Sequence, residues 1–220
     1  MMRVLRDNGL TLALVAAFLL CLIGMTFSGW LEHNEQLSQH GQAPLDVLAY
    51  FFSSDFQSAL FENWESEFLQ MSAYVILTAM LFQRGSAESK DPDDDNPEDA
   101  DPARNRLDND APWPVRKGGL VAWLYSYSLG SVLALLFVLS FVLHWLHSVA
   151  AANEAALQHS EPTQTALEYL TSAQLWFESF QNWQSEFMAT AVLVVLSIVL
   201  RHRGSPESKP VAAPHSETGG

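Results

Sequence analysis

Two short segments carry the side chains best able to do chemistry. Phe61-Glu62-Asn63-Trp64-Glu65-Ser66-Glu67-Phe68 and Phe180-Gln181-Asn182-Trp183-Gln184-Ser185-Glu186-Phe187 share an Asn-Trp-x-Ser-Glu-Phe pattern, and each leads directly into an apolar run. Asn63 and Glu67 stand four residues apart, as do Asn182 and Glu186, so on a helix each pair shares one face. With Ser66 and Ser185 they form a candidate polar site at a membrane edge. A carboxylate there is penalised less than the roughly 2.5–3.5 kcal/mol assigned at a helix centre, yet it still requires a partner or a proton. Gln70, Tyr74 and Thr78 continue the stripe inward in the first segment, and Ser197 matches Thr78 in the second. Two chemistries fit. The paired acids could line a proton, cation or solute path. Alternatively, Trp64 and Trp183 anchor an elbow at headgroup level while the glutamates face water.

The other reactive side chains make weaker constellations. Ser140, His144 and His147 share a helix face, but the corresponding first-half positions are Cys21, Met25 and Ser28. No symmetric histidine site results, and two interfacial histidines are expected. His40 and His159, with Glu35 and Glu154, lack zinc-motif spacing. No glycine-rich phosphate loop, nucleophile elbow or HExxH segment is present. The expectation is a protein that is not an enzyme, with no cofactor and no metal. Its net charge of -14 opposes nucleic-acid binding, which needs a basic surface. Cys21 is the only cysteine, so an intrachain disulfide is excluded.

The elements that position these residues are four apolar runs. Leu10 to Trp30 and Leu129 to Val149 each extend roughly 31 Å as helices, matching a hydrocarbon core of about 30 Å. Phe68 to Phe82 and Phe187 to Leu200 are shorter, near 22 Å of helix. Their cytoplasmic ends are fixed by Arg84-Gly85 and by Arg201 before Gly204, since glycine commonly stops a helix. The missing turns must come from the outer end, which draws Glu67 and Glu186 to the membrane edge. The first run, with Arg3 and Arg6 before it, also has the look of a signal peptide. It is long for a signal core and no convincing small-x-small site follows it. It is read as a retained span.

Sliding the chain against itself by about 119 residues aligns its halves without a gap. Arg84-Gly85-Ser86-Ala87-Glu88-Ser89-Lys90 falls on Arg203-Gly204-Ser205-Pro206-Glu207-Ser208-Lys209, and Asn34-Glu35 falls on Asn153-Glu154. All 11 lysines and arginines lie before the first run, between the second and third, or after the fourth. The loops Leu31 to Glu67 and Ala150 to Glu186 contain none. The positive-inside rule then sets both termini in the cytoplasm and those two loops outside. Each copy enters from the same side, so the duplication is parallel, unlike inverted-repeat transporters.

The pairing of Asn-Trp-x-Ser-Glu-Phe with a later Arg-Gly-Ser-x-Glu-Ser-Lys, twice in one chain, resembles an uncharacterised family of duplicated four-helix bacterial membrane proteins. The resemblance implies a bacterial plasma (inner) membrane location and carries no activity.

The expected fold is all-α: a membrane bundle of four transmembrane helices formed by two tandem parallel helix-pair repeats, with amphipathic extracytoplasmic elbow helices. Residues 1–90 and 119–209 form the repeats. Residues 91–118, where Asp-Pro-Asp-Asp-Asp-Asn-Pro-Glu-Asp-Ala-Asp-Pro occurs, are expected as an acidic disordered cytoplasmic linker. Residues 210–220 form a cytoplasmic tail. Gly41 and Pro44 should end the first helix, and Ser53 or Ser54, and Ser172, should cap the helices entering the next spans. The functional expectation is a non-enzymatic envelope, scaffold or interaction protein; the alternative is a small transporter or channel subunit using the paired carboxylates. The partners expected are the lipid bilayer and a protein reached through the outer loops, and self-association is compatible with the pattern.

Overall fold

The computed structural model describes residues 2–219, and all regular structure among them is helical. In chain order the helices are α1 (Met2–Asp7), α2 (Gly9–Gln39), α3 (Val47–Phe51), α4 (Ser54–Met80), α5 (Trp113–Lys117), α6 (Gly119–Ser126), α7 (Ser128–Gln158), α8 (Ala166–Leu170) and α9 (Ala173–Val199). Two short 3-10 turns, Pro97–Asp99 and Pro102–Asn105, lie in the acidic connection before α5.

Among the described residues three helices are long and apolar enough to cross a membrane: α2, α7 and α9. At 31 residues each, α2 and α7 reach about 46 Å and overrun a hydrocarbon core of about 30 Å by several turns. The 27-residue α4 has the same length as α9. Its first half carries Asp55, Glu62, Glu65 and Glu67, and its second half, from Phe68 on, is mostly apolar.

Exposure and burial run opposite to the pattern of a water-soluble core. Leu10, Leu14, Phe27, Leu129, Val132 and Leu135 are exposed, whereas Thr26, Ser66, Ser72, Ser140, Ser148, Ser179 and Ser197 are buried. Small hydroxyl residues let helices approach closely and satisfy their polarity on the backbone, the packing chemistry of helices in lipid. Thr26 Oγ1 donates to Leu22 O at 2.8 Å, and Ser197 Oγ to Val194 O at 3.0 Å.

The chain forms two compact units. One comprises the chain up to Leu60 together with Leu143–Ala166. Here α2 ends where Gly41 takes φ 68, and Asp46 caps α3 by accepting from Ala49 N at 2.8 Å. The return of the chain is fastened by Asn34, whose amide donates to Leu45 O at 3.0 Å and accepts from Leu45 N at 2.7 Å. Trp30 Nε1 donates to the same carbonyl at 2.7 Å. Tyr50 and Phe56 are buried together, and the Tyr50 hydroxyl lies against Gly29 so closely that a Cβ there would collide with it. Ser53 Oγ accepts from Phe56 N at 3.3 Å, as expected of a cap. Ser58 and Ser148 share a 2.6 Å hydrogen bond, linking α4 to α7.

The other unit comprises Phe61–Val142 and the chain from Leu167 onward. Ser172 caps α9 by accepting from Leu175 N at 3.3 Å. It holds an aromatic group in which Trp183 meets Phe137, Trp176 and Phe180, with ring centroids 5.3–6.3 Å apart. Toward the C-terminal ends of the two helices the loop after α4 packs on α9, with Ser86 and Ser197 hydroxyls 2.8 Å apart.

Candidate functional site

The segment read from the sequence as a membrane-edge site lies on α4 and α9, and its members are placed differently in the two helices. Asn63 and Glu67 are exposed, Ser66 is buried, Asn182 and Glu186 are half-buried, and Ser185 is exposed. Both serines bond back along their own helix, Ser66 Oγ to Asn63 O at 2.8 Å and Ser185 Oγ to Asn182 O at 2.7 Å. Glu67 is near enough for its charge to act on Glu186. Asn182 Nδ2 donates to Glu62 Oε1, joining α9 to α4. Trp64 is half-buried and meets Phe61 edge-on at 5.5 Å. Trp183 Nε1 donates to Glu65 Oε1 at 2.9 Å, so this indole satisfies its polar edge inside the protein.

Glu65 is the acid that sequence reasoning passed over. It is fully buried, in contrast to Glu67 beside it. Its position was marked by spacing: Ser58, Glu65 and Ser72 recur every seventh residue of α4, a single helix face. Of the two histidines, His144 is fully buried and His147 half-buried, and Ser140 and Ser148, four residues to either side of His144, are buried too. The rings of His40 and His159 lie 6.0 Å apart. Among the described residues no group of three or more His, Cys, Asp or Glu is placed to hold a metal. On the elbow, burial and then the charges of Glu178 and Glu62 push the Tyr169 hydroxyl up to about 12, which keeps it neutral.

Deeper in the same unit, the stripe Gln70, Tyr74 and Thr78 lines a cavity of about 360 Å³ facing Thr190, Val194 and other residues of α9. Gln70 Nε2 donates to Thr190 Oγ1 at 2.6 Å across it. At its inner end Tyr74 Oη donates to Glu88 Oε2 at 2.8 Å. Glu88 Oε1 is buried and receives no such donor. Burial raises the Glu88 carboxyl, the Tyr74 hydrogen bond lowers it, and the nearby Glu207 raises it again. Because carboxylate oxygens only accept, the approach of Glu207 becomes a hydrogen bond when one of the two carries a proton. A second cavity, of about 590 Å³, shares Thr78, Glu88 and Ser89 with the first and is lined on its far side by Asp91, Asn96 and Asp99. Glu88 therefore stands in the wall between an apolar cavity and a polar one.

The loop holding Glu88 owes its shape to local bonds. Gly85 takes φ 81, and Ser89 Oγ accepts from Gln83 N at 2.8 Å. Lys209 is 1 % exposed, and its ammonium donates to the backbone carbonyls of Gly85, Pro214, His215 and Glu217. The tail is tied to the same loop by Gly219 N donating to Ser86 O at 2.9 Å and by Gly85 N donating to Thr218 Oγ1 at 2.9 Å.

Three membrane-length apolar helices, outward leucines and inward serines are the marks of a helical membrane protein. The chain belongs to the family described as a domain of unknown function (DUF6766), whose model matches residues 1–220. No curated protein and no solved structure matches it.

Proposed function

We propose that this is a multi-pass protein of the bacterial plasma membrane with four spans, α2, α4, α7 and α9, produced by tandem duplication of one helix pair. Recurrence of local structure at an offset of about 119 residues supports the duplication. The α2, α3 and α4 bounds reappear in α7, α8 and α9. The Asn34–Leu45 pair of bonds reappears as Asn153–Gln164, with both distances 2.8 Å. Gln57 Nε2 on Phe51 O reappears as Trp176 Nε1 on Leu170 O. The Ser89 bond to Gln83 N reappears as Ser208 to His202 N at 2.9 Å. Span status for α4 rests on that kinship with α9 and on the cation-free loop within each helix pair, which, with the cations outside the pairs, also sets both termini in the cytoplasm.

The function that fits best is a non-enzymatic envelope or scaffold role, exercised through the outward elbows on lipid headgroups and a partner protein. One observation carries it. The elbows are fastened by hydrogen bonds yet present large apolar side chains, with Phe52 69 % and Phe177 67 % exposed. A rigid, outward aromatic surface suits docking. Photocrosslinkers at Phe52 and Phe177 in intact cells should capture one reproducible partner beside lipid. A capture pattern equal to that of a scrambled-loop control would overturn this role.

A second reading, a small transporter or channel subunit, is favoured by the polar line from Glu67 and Glu186 through Gln70–Thr190 to Tyr74 and Glu88. If it holds, Glu67→Gln and Glu186→Gln abolish proton or ion flux in proteoliposomes while helicity is retained. Flux equal to wild type removes it.

A further inference from the structure

The two Arg-Gly-Ser-x-Glu-Ser-Lys segments bring four cations and two carboxylates to the inner ends of α4 and α9. The cations are engaged away from Glu88. Arg84 pairs with Asp93, Lys90 Nζ lies 2.7 Å from Asp99 Oδ1, Lys209 is held by backbone carbonyls, and Arg203 is exposed. Among the described residues no ion pair reaches Glu88. The titratable groups acting on it are the Tyr74 hydroxyl and the Glu207 carboxyl, neither of which supplies positive charge. Its Oε1 lies buried at the end of a cavity, and the Glu207 carboxyl can bond to Glu88 only when one of the two acids carries a proton. A buried carboxylate oxygen in that state calls for a donor bearing positive charge. The rest of the cavity is suited to an apolar body. Leu77, Leu81, Val194 and Val195 form walls, and the polar side chains of Gln70, Thr78, Gln83, Ser89 and Thr190 interrupt them. Its volume of about 360 Å³ falls within the roughly 300–1,000 Å³ of small-molecule sites.

We propose that the cavity between the inner halves of α4 and α9 binds an amphipathic organic monocation, its ammonium on Glu88 and its apolar body along Leu77, Leu81 and Val194. The site goes beyond the scaffold role and does not depend on it. Because Glu88 must be ionised to hold the ammonium, binding strengthens as pH rises through its titration.

The test is equilibrium dialysis of radiolabelled 4-phenylbutylamine against the full-length protein in zwitterionic nanodiscs, with empty discs subtracted and 4-phenylbutanol as the uncharged counterpart. The amine should bind at least tenfold more tightly than the alcohol. Glu88→Gln should lose about tenfold or more, whereas Glu35→Gln, which removes the same charge from the last turns of α2, should match wild type. Val194→Trp fills the cavity while leaving the Glu88 carboxyl in place and should abolish binding, with circular dichroism confirming that both variants keep their helices. Equal binding of amine and alcohol, or amine binding unchanged in both Glu88→Gln and Val194→Trp, would overturn the proposal; the second result would mean that Glu88 takes up a proton only.

Discussion

At the residue scale, adjacent acids in one motif have opposite fates. Glu65 is enclosed and holds the Trp183 indole, whereas Glu67 two positions on is exposed. Removing one partner of a buried hydrogen bond leaves the other unsatisfied at a cost of about 1–3 kcal/mol, so Glu65→Ala should lower thermal stability by that order and shift Trp183 fluorescence, while Glu67→Ala should do neither. Glu88 supplies a pH test. Its folded-state carboxyl is raised, chiefly by burial, so the stabilisation it brings is complete below its unfolded value of about 4.3 and fades as pH rises through the folded one. Melting temperatures measured upward from about pH 4 should fall across that window in wild type and stay flatter in Glu88→Gln. An identical slope in the two proteins would contradict the assignment. The sequence pointed to the correct stripe through Gln70, Tyr74 and Thr78, because helical spacing fixes which residues share a face. It could not show that Glu88, distant from the stripe in the chain, closes the cavity; that depends on how the Gly85 loop folds back.

At the scale of elements, turn chemistry was largely legible. Gly41 and Ser172 do what their types and positions indicate, at a helix end and at a helix start. The place occupied by Gly41 after α2 is occupied after α7 by Ser160 at φ 58, the one non-glycine residue with positive φ among those described. A left-handed conformation costs a residue with a Cβ about 1 kcal/mol or more. Ser160→Gly should therefore raise stability by about 1 kcal/mol, read as a higher melting temperature, and no change would show that the outer turn relaxes. The tail was less legible, since nothing in its composition advertised that Lys209 would draw four carbonyls around itself. Lys209→Met removes those donors, and limited proteolysis should then cut the last ten residues far faster than in wild type.

At the scale of the whole molecule, solvent decides the sorting of side chains. Leucines face outward and serines inward because hydrocarbon, unlike water, gives apolar surface no reason to hide. Length and apolar content alone identify three helices as able to cross. The fourth, α4, is obscured by the acids of its outer half, and its case rests on correspondence with α9. The arrangement of charges completes the account, with every lysine and arginine on one side of the four-span scheme. The most direct measurement places single cysteines at Gln42, Asp95 and Glu161, all exposed, in a Cys21→Ala background and labels intact cells with a membrane-impermeant maleimide. Positions 42 and 161 should react at once and position 95 only after permeabilisation. Labelling of all three from outside, or of 42 and 161 from opposite sides, would contradict the four-span arrangement.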